Sequence, residues 1–93
     1  MNSEKPLWAV EWDIGAQRDI KKLPKSIQLK IADTIAETLS KNPYIGEKLK
    51  GRYKGLYKYR IGNYRIIYNI QNDRLVILIL RVTDRKDIYR LPL

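Results

Sequence analysis

Ninety-three residues are enough for one domain with one modest core, and a hydrophobic share of 44% is ordinary for a globular chain. The absence of cysteine and histidine excludes disulfides and thiolate chemistry, and removes the commonest metal ligand and the usual neutral-pH proton shuttle. A formal charge of +9, from 19 basic and 10 acidic residues, points to an anionic partner.

The opening MNSEKPLWAV lacks an apolar leader core, and no segment is long enough to span a bilayer. A single cytoplasmic domain over residues 1–93, without membrane association, is therefore expected. Residues 7–12, LWAVEW, read as a first strand, and Asp13 is placed to cap the helix that follows. In that helix Ala16, Ile20 and Leu23 recur at helical spacing, Gly15 weakens the first turn, and Pro24 ends the element. A second, longer helix is expected over residues 25–41. Its stripe is Ile27, Ile31, Ile35 and Leu39, with Ala32 and Ala36 beside it. Leu29 lies off the stripe, either as a scattered apolar residue or as part of a partner surface. KNPYIGEKLKG then reads as a loop, with Asn42-Pro43 and two glycines.

Three strands follow. Residues 56–61 and 64–70 alternate around Gly62-Asn63, a two-residue hairpin turn in which glycine supplies positive φ. Asn72-Asp73 turns the chain into a strand over 74–82, which is apolar on both faces and so central to its sheet. The tail is short and polar, with Ile88 and Tyr89 able to dock back. The order β-α-α-β-β-β gives an α+β fold with two N-terminal helices packed on one face of a mostly antiparallel sheet.

The charge is concentrated. Lys48, Lys50, Arg52, Lys54, Lys58, Arg60 and Arg65 fall between Lys48 and Asn72, a stretch without Asp or Glu. Such a cluster is either a solvated face or the footprint of a polyanion site. Counting outward from the turn decides between them. Ile61 faces Tyr64, Arg60 faces Arg65, Tyr59 faces Ile66 and Lys58 faces Ile67. Tyr57, Tyr59, Ile61, Tyr64, Ile66, Tyr68 and Ile70 then share one face, and Lys58, Arg60 and Arg65 the other. Like charges directly opposite each other destabilise a hairpin. An anion between the two guanidiniums reverses that penalty, with Lys58 as a third cation. Ile67, Leu78 and Leu80 fall on the cation face by the same register, so this face is expected to be a groove partly covered by the tail or a partner.

RDIKKLP, the Gly-x-Tyr-Arg-x-x-Tyr core in GNYRIIY, and the terminal Arg85-x-x-x-Tyr89 together resemble the RelE/ParE superfamily of toxins from toxin–antitoxin pairs. The resemblance covers nearly the whole chain and implies the same compact fold. It also implies one of two activities: metal-independent cleavage of mRNA in the ribosomal A site, or inhibition of DNA gyrase without RNA cleavage. Carried over by position, the RNA-cleaving set is Lys58, Arg60, Arg65, Arg85 and Tyr89, with Lys48, Lys50, Arg52 and Lys54 as further RNA contacts and no cofactor or metal. Lys58 is the best candidate base, since neighbouring cations disfavour its charged form. Tyr89 stacks on or positions a nucleotide, or else closes the core. Arg85 binds phosphate, or else pairs with Asp84 or Asp87. The chain departs from the pattern at Arg60, where RelE has lysine, and at Asp84, where many relatives have histidine. The implied partners are mRNA, the ribosome and an acidic, RelB-like antitoxin.

Overall fold

The computed structural model describes residues 7–87. Strands β1 (Ala9–Trp12), β2 (Glu47–Lys48), β3 (Tyr57–Ile61), β4 (Tyr64–Gln71) and β5 (Val76–Asp84) form one sheet in the order β1-β5-β4-β3-β2. Helices α1 (Ile14–Lys21) and α2 (Lys25–Thr34) pack on one of its faces. Every pairing is antiparallel except that of β1 with β5. The expected architecture is present, with β5 inside the sheet and β2 as an addition. Two residues are too few to show an alternating pattern, so the sequence around β2 reads as loop.

Ala16, Ile31, Ile35 and Leu39 from the helices meet Ile61, Ile66, Tyr68, Ile77, Ile79 and Val82 from the sheet. Each large apolar side chain so buried contributes about 1.5–3 kcal/mol before conformational entropy is counted. The hairpin register is the expected one, pair for pair from Tyr57↔Tyr68 to Ile61↔Tyr64. Gly62 has φ of 61° and Asn63 does not share the positive φ, the pattern of a type II′ turn. Asp13 caps α1 through a 3.4 Å bond from the Gly15 amide.

Four features differ from the sequence-based expectation. The second helix stays α-helical only to Thr34, and residues 35–39 form a wider turn in which the Ser40 amide reaches the Ile35 carbonyl at 2.9 Å. A strict four-residue repeat drifts about 40° per turn around a 3.6-residue helix, and the wider turn rotates Ile35 and Leu39 back over the sheet. The Thr34 and Ser40 hydroxyls bond to carbonyls four residues back, at 2.8 and 2.6 Å, which competes with the regular ladder. Second, the turn after β4 spans residues 72–75 rather than Asn72-Asp73 alone, with Leu75 at φ of 53° and β5 starting at Val76. Third, β5 carries a bulge. Ile67 pairs with Arg81 and Tyr68 with Ile79, so Leu80 has no partner and leaves the register that placed it beside Leu78. Fourth, Leu49, Tyr53 and Leu56 cover Ile67 on the face away from the helices. Among the described residues that cover comes from 49–56; the rest of the tail, on which the expectation also fell, lies outside them. Ile88 and Tyr89 lie outside the described residues. Leu29 is exposed, off the helix stripe as expected.

A clamp ties α1 to the sheet. Asp19 accepts from Arg81 Nε at 2.8 Å, from Arg81 Nη2 at 3.0 Å and from the Val82 amide at 2.8 Å. The hydrogen bond to Asp19 raises the Arg81 guanidinium above its already high pKa, against a smaller opposing effect of burial. Replacing Asp19 with Ala strands a half-buried guanidinium and a backbone N–H together, at a cost of about 2–4 kcal/mol. Asp19→Asn, which still accepts from Val82, should lose less. Urea denaturation of the two variants checks this order; equal stability of Asp19→Ala and the parent would remove the clamp from the account.

Candidate nucleic-acid interface

The cation face is the sheet face away from the helices. Among the described residues, 49–56 cover it only from Ile67 onward and leave the hairpin end uncovered. There Arg60 pairs directly with Arg65, and Lys58 is one step further along, opposite Ile67. Arg60 is exposed and Arg65 half-buried, its Nη1 donating to the Tyr64 carbonyl at 3.2 Å. No carboxylate among the described residues pairs with either arginine. Together with Ile45, Gly46, Glu47 and Lys58 they line a cleft of about 290 Å³.

The cleft's outer wall is set by one glycine. The 43–47 segment lies so close to the sheet that a Cβ at Gly46 would collide with the Tyr68 hydroxyl and come within 2.8 Å of the Lys58 carbonyl. Tyr68 is fully buried and donates to the Pro43 carbonyl at 2.7 Å. Burial pushes its phenol far above the ordinary tyrosine pKa, partly offset by a hydrogen bond from the Gly46 backbone. The proton therefore stays on the oxygen, and Tyr68 is a strut under the wall rather than an acid or base.

The same wall delivers Glu47, which the sequence reading passed over. Pairing of β2 with β3 sets Glu47 opposite Lys58, with Nζ and Oε1 3.7 Å apart. The acid-free stretch begins one residue after it, so linear sequence alone gave the cations no partner. Lys58 is therefore not surrounded by cations alone, which removes the sole ground on which it was preferred as base.

The other expected residues fall in three places. Arg85 follows the last pair of β5 with β4, Tyr64↔Asp84, and its amide donates to the Asn63 carbonyl at 3.0 Å. It is exposed at the hairpin end. The Asp84 carboxylate accepts from the Lys86 amide at 3.1 Å rather than pairing with Arg85. Lys48, Lys50 and Lys54 line a second, larger groove. Arg52 is set apart from them, its guanidinium 5.1 Å from the centroid of the Tyr53 ring. Tyr89 lies outside the described residues.

Among the described residues neither of these opposed guanidiniums has a carboxylate partner, so the pair can accept an anion. Arg60→Thr removes the repulsion while keeping strand propensity. The variant should be as stable as the parent or more so, by about 0.2–1 kcal/mol. Sulfate, binding only the folded site, should raise the melting temperature of the parent more than that of the variant. Thermal melts with and without sulfate check both; a clearly less stable variant would make Arg60 a structural residue.

Three comparisons bear on this arrangement. The family model described as the ParE toxin of type II toxin–antitoxin systems matches residues 10–89. Toxin RelG of Mycobacterium tuberculosis is 34% identical over 84 residues, covering 89% of this chain and 97% of RelG. Among solved structures, a chain of the toxin–antitoxin complex RelBE2 from Mycobacterium tuberculosis superposes with a TM-score of 0.81 at 31% identity, covering 86% of this chain and 100% of that one. A chain of the archaeal RelE–RelB complex from Pyrococcus horikoshii gives 0.69 at 27% identity, with 84% and 94% covered.

Proposed function

The chain belongs to the ParE toxin family of type II toxin–antitoxin systems, within the RelE/ParE superfamily, and from that premise we propose that it arrests growth by cutting translated mRNA in the ribosomal A site. The observation that carries this reading is the open cleft where Arg60 opposes Arg65 beside Lys58. In the proposed reaction a ribose 2′-hydroxyl attacks the adjacent phosphate. The P–O bond to the departing 5′-oxygen breaks, leaving a cyclic phosphate and a free 5′-hydroxyl. Arg60, Arg65 and Arg85 hold the phosphate and the charge that develops on it. A cleft of cations repels a divalent metal, so these guanidiniums take the part a metal would play. Lys58 is assigned the proton of the attacking hydroxyl by its place in the cleft beside the two arginines rather than by a weakened charge, the departing 5′-oxygen takes its proton from water, and Tyr89 stacks on a base. Lys48, Lys50, Arg52 and Lys54 hold flanking RNA.

Glu47 stands where a phosphate would stand against Lys58, so it competes with the substrate. No acid–base pair of ordinary strength is present, and cleavage off the ribosome should be weak because positioning must come from elsewhere. The expected setting is the cytoplasm. The expected inhibitor is a RelB-like antitoxin, acidic where it meets the cleft. The rivals are the gyrase inhibition of ParE-like members, whose name the family model carries, and a nucleic-acid-binding toxin that does not cleave.

Induction in cells separates cleavage from gyrase inhibition. Translated mRNA should acquire new 5′-hydroxyl ends, whereas DNA damage with intact mRNA would establish the gyrase rival. Arg65→Ala and Arg85→Ala should each relieve growth arrest while keeping the parent's circular dichroism spectrum. Two folded, fully toxic variants would sink the site assignment.

Glu47→Gln gives an independent check in vitro. Removing the carboxylate should tighten binding of single-stranded RNA by about 1.4- to fivefold, the equivalent of a surface ion pair worth about 0.2–1 kcal/mol. Fluorescence anisotropy with a labelled, uncleavable oligonucleotide measures it. Weaker binding by the variant would mean that Glu47 shapes the cleft rather than competes for it.

A further inference from the structure

A second groove, larger than the cleft at about 550 Å³, lies beside β2, within the range of about 300–1,000 Å³ typical of ligand sites. Its floor is apolar, formed by Leu49, Leu56, Tyr57 and Ile70. Exposed Lys48, Lys50 and Lys54 stand around it. Tyr44, half exposed, closes one end, where its hydroxyl meets the Asn72 side chain. The Tyr44 ring is also braced edge-on between Trp8 and Tyr57, with centroids 6.1 Å apart in both pairs.

Cleft and groove are neighbours. A smaller depression of about 280 Å³ shares Glu47 and Lys58 with the cleft and Lys48, Leu49 and Lys50 with the groove. Strung along β2, the three make a furrow of adjoining depressions. Its cations succeed one another from Arg60 and Arg65 through Lys58 to Lys48, Lys50 and Lys54, with Glu47 the single acid along it. A furrow with repeated cations on its rim and an apolar, aromatic floor at one end matches a polymer that repeats a phosphate and a flat base.

We propose that the groove is a second RNA subsite. It holds a base of the same strand against Leu49, Leu56 and Tyr57, with adjoining phosphates on Lys48, Lys50 and Lys54, while the scissile phosphate occupies the cleft. This rests on the ribonuclease reading, and adds that the furrow grips RNA beyond the cut. A base seated there fixes the direction in which the strand crosses the sheet. It also makes affinity depend on length rather than on the cleft alone.

Uncleavable 2′-O-methyl oligoribonucleotides of three and nine nucleotides test it by anisotropy across a salt series. The nonamer should bind more tightly than the trimer and with a steeper salt dependence. Lys50→Gln/Lys54→Gln replaces two exposed side chains, and so should fold. In that variant the nonamer's salt slope should fall by about 0.7 for each phosphate contact removed, with a far smaller change for the trimer. A nonamer with abasic flanks should lose part of its advantage, because the floor then has no base to cover. Arg65→Ala should weaken both lengths; if it weakens neither, the cleft reading fails while the length effect still judges the groove. Equal binding of trimer and nonamer, a nonamer indifferent to Lys50→Gln/Lys54→Gln, or full binding by the abasic form would each overturn the proposal. So would an acidic, leucine-containing peptide that binds with sensitivity to Lys50→Gln/Lys54→Gln while the nonamer shows none, since the groove would then serve a protein partner.

Discussion

The register of one hairpin governs the rest of the molecule. With Gly62 at positive φ, the turn can close only so that Ile61 meets Tyr64 and Arg60 meets Arg65. Side chains alternate along a strand, so a slip of one residue would turn Ile66 and Tyr68 out of the core and drive the cations into it. The core and the cation face are therefore specified together. Everything on the helix side follows from the buried set, Ile61, Ile66 and Tyr68, against which α1 and α2 lay Ala16, Ile31, Ile35 and Leu39. Everything on the other side follows from where that set leaves Lys58, Arg60 and Arg65.

The hairpin, the helix stripes and the two faces were legible because each is a short-range period in the chain. What was not legible is what joins elements far apart. Asp19 meets Arg81 and Val82 across most of the sequence; nothing local distinguishes Asp19 from a solvated helix residue. The bulge at Leu80 has no sequence mark, yet it resets β5 so that Ile77, Ile79 and Val82 all reach the core. Glu47 belongs to a strand of two residues and becomes visible as the partner of Lys58 only when β2 is paired with β3. Of the candidate site, the opposed arginines could be counted out from the turn. The wall that encloses them could not, because it depends on the fit of Gly46 over the Tyr68 hydroxyl.

The loop of residues 49–56 carries a double requirement. Leu49, Tyr53 and Leu56 must lie on Ile67, since that side chain faces away from the main core and would otherwise be exposed. The residues between them then point outward by necessity, and Lys50, Arg52 and Lys54 occupy those positions. A basic rim beside the cleft is thus the outer half of a cover whose inner half is apolar. Charge there is compatible with folding because the loop is anchored by the burial of its apolar half.

The same reasoning explains why the repulsion between Arg60 and Arg65 is tolerated. Stability is supplied on the opposite face, where Ile61 and Tyr64 anchor the hairpin end from the helix side, and by the Asp19 clamp. The cations sit where their mutual cost, under about 1 kcal/mol for a like-charged pair, is a small fraction of what the buried face contributes. Two arginines opposed without an intervening acid keep most of their donors unspent, Arg65 giving one to the Tyr64 carbonyl. A phosphate arriving there meets groups that need not first break a bond to one another, whereas at Lys58 it must displace Glu47. The cleft is therefore graded: open to an anion at the arginines, and guarded by a competing carboxylate where the furrow turns toward β2.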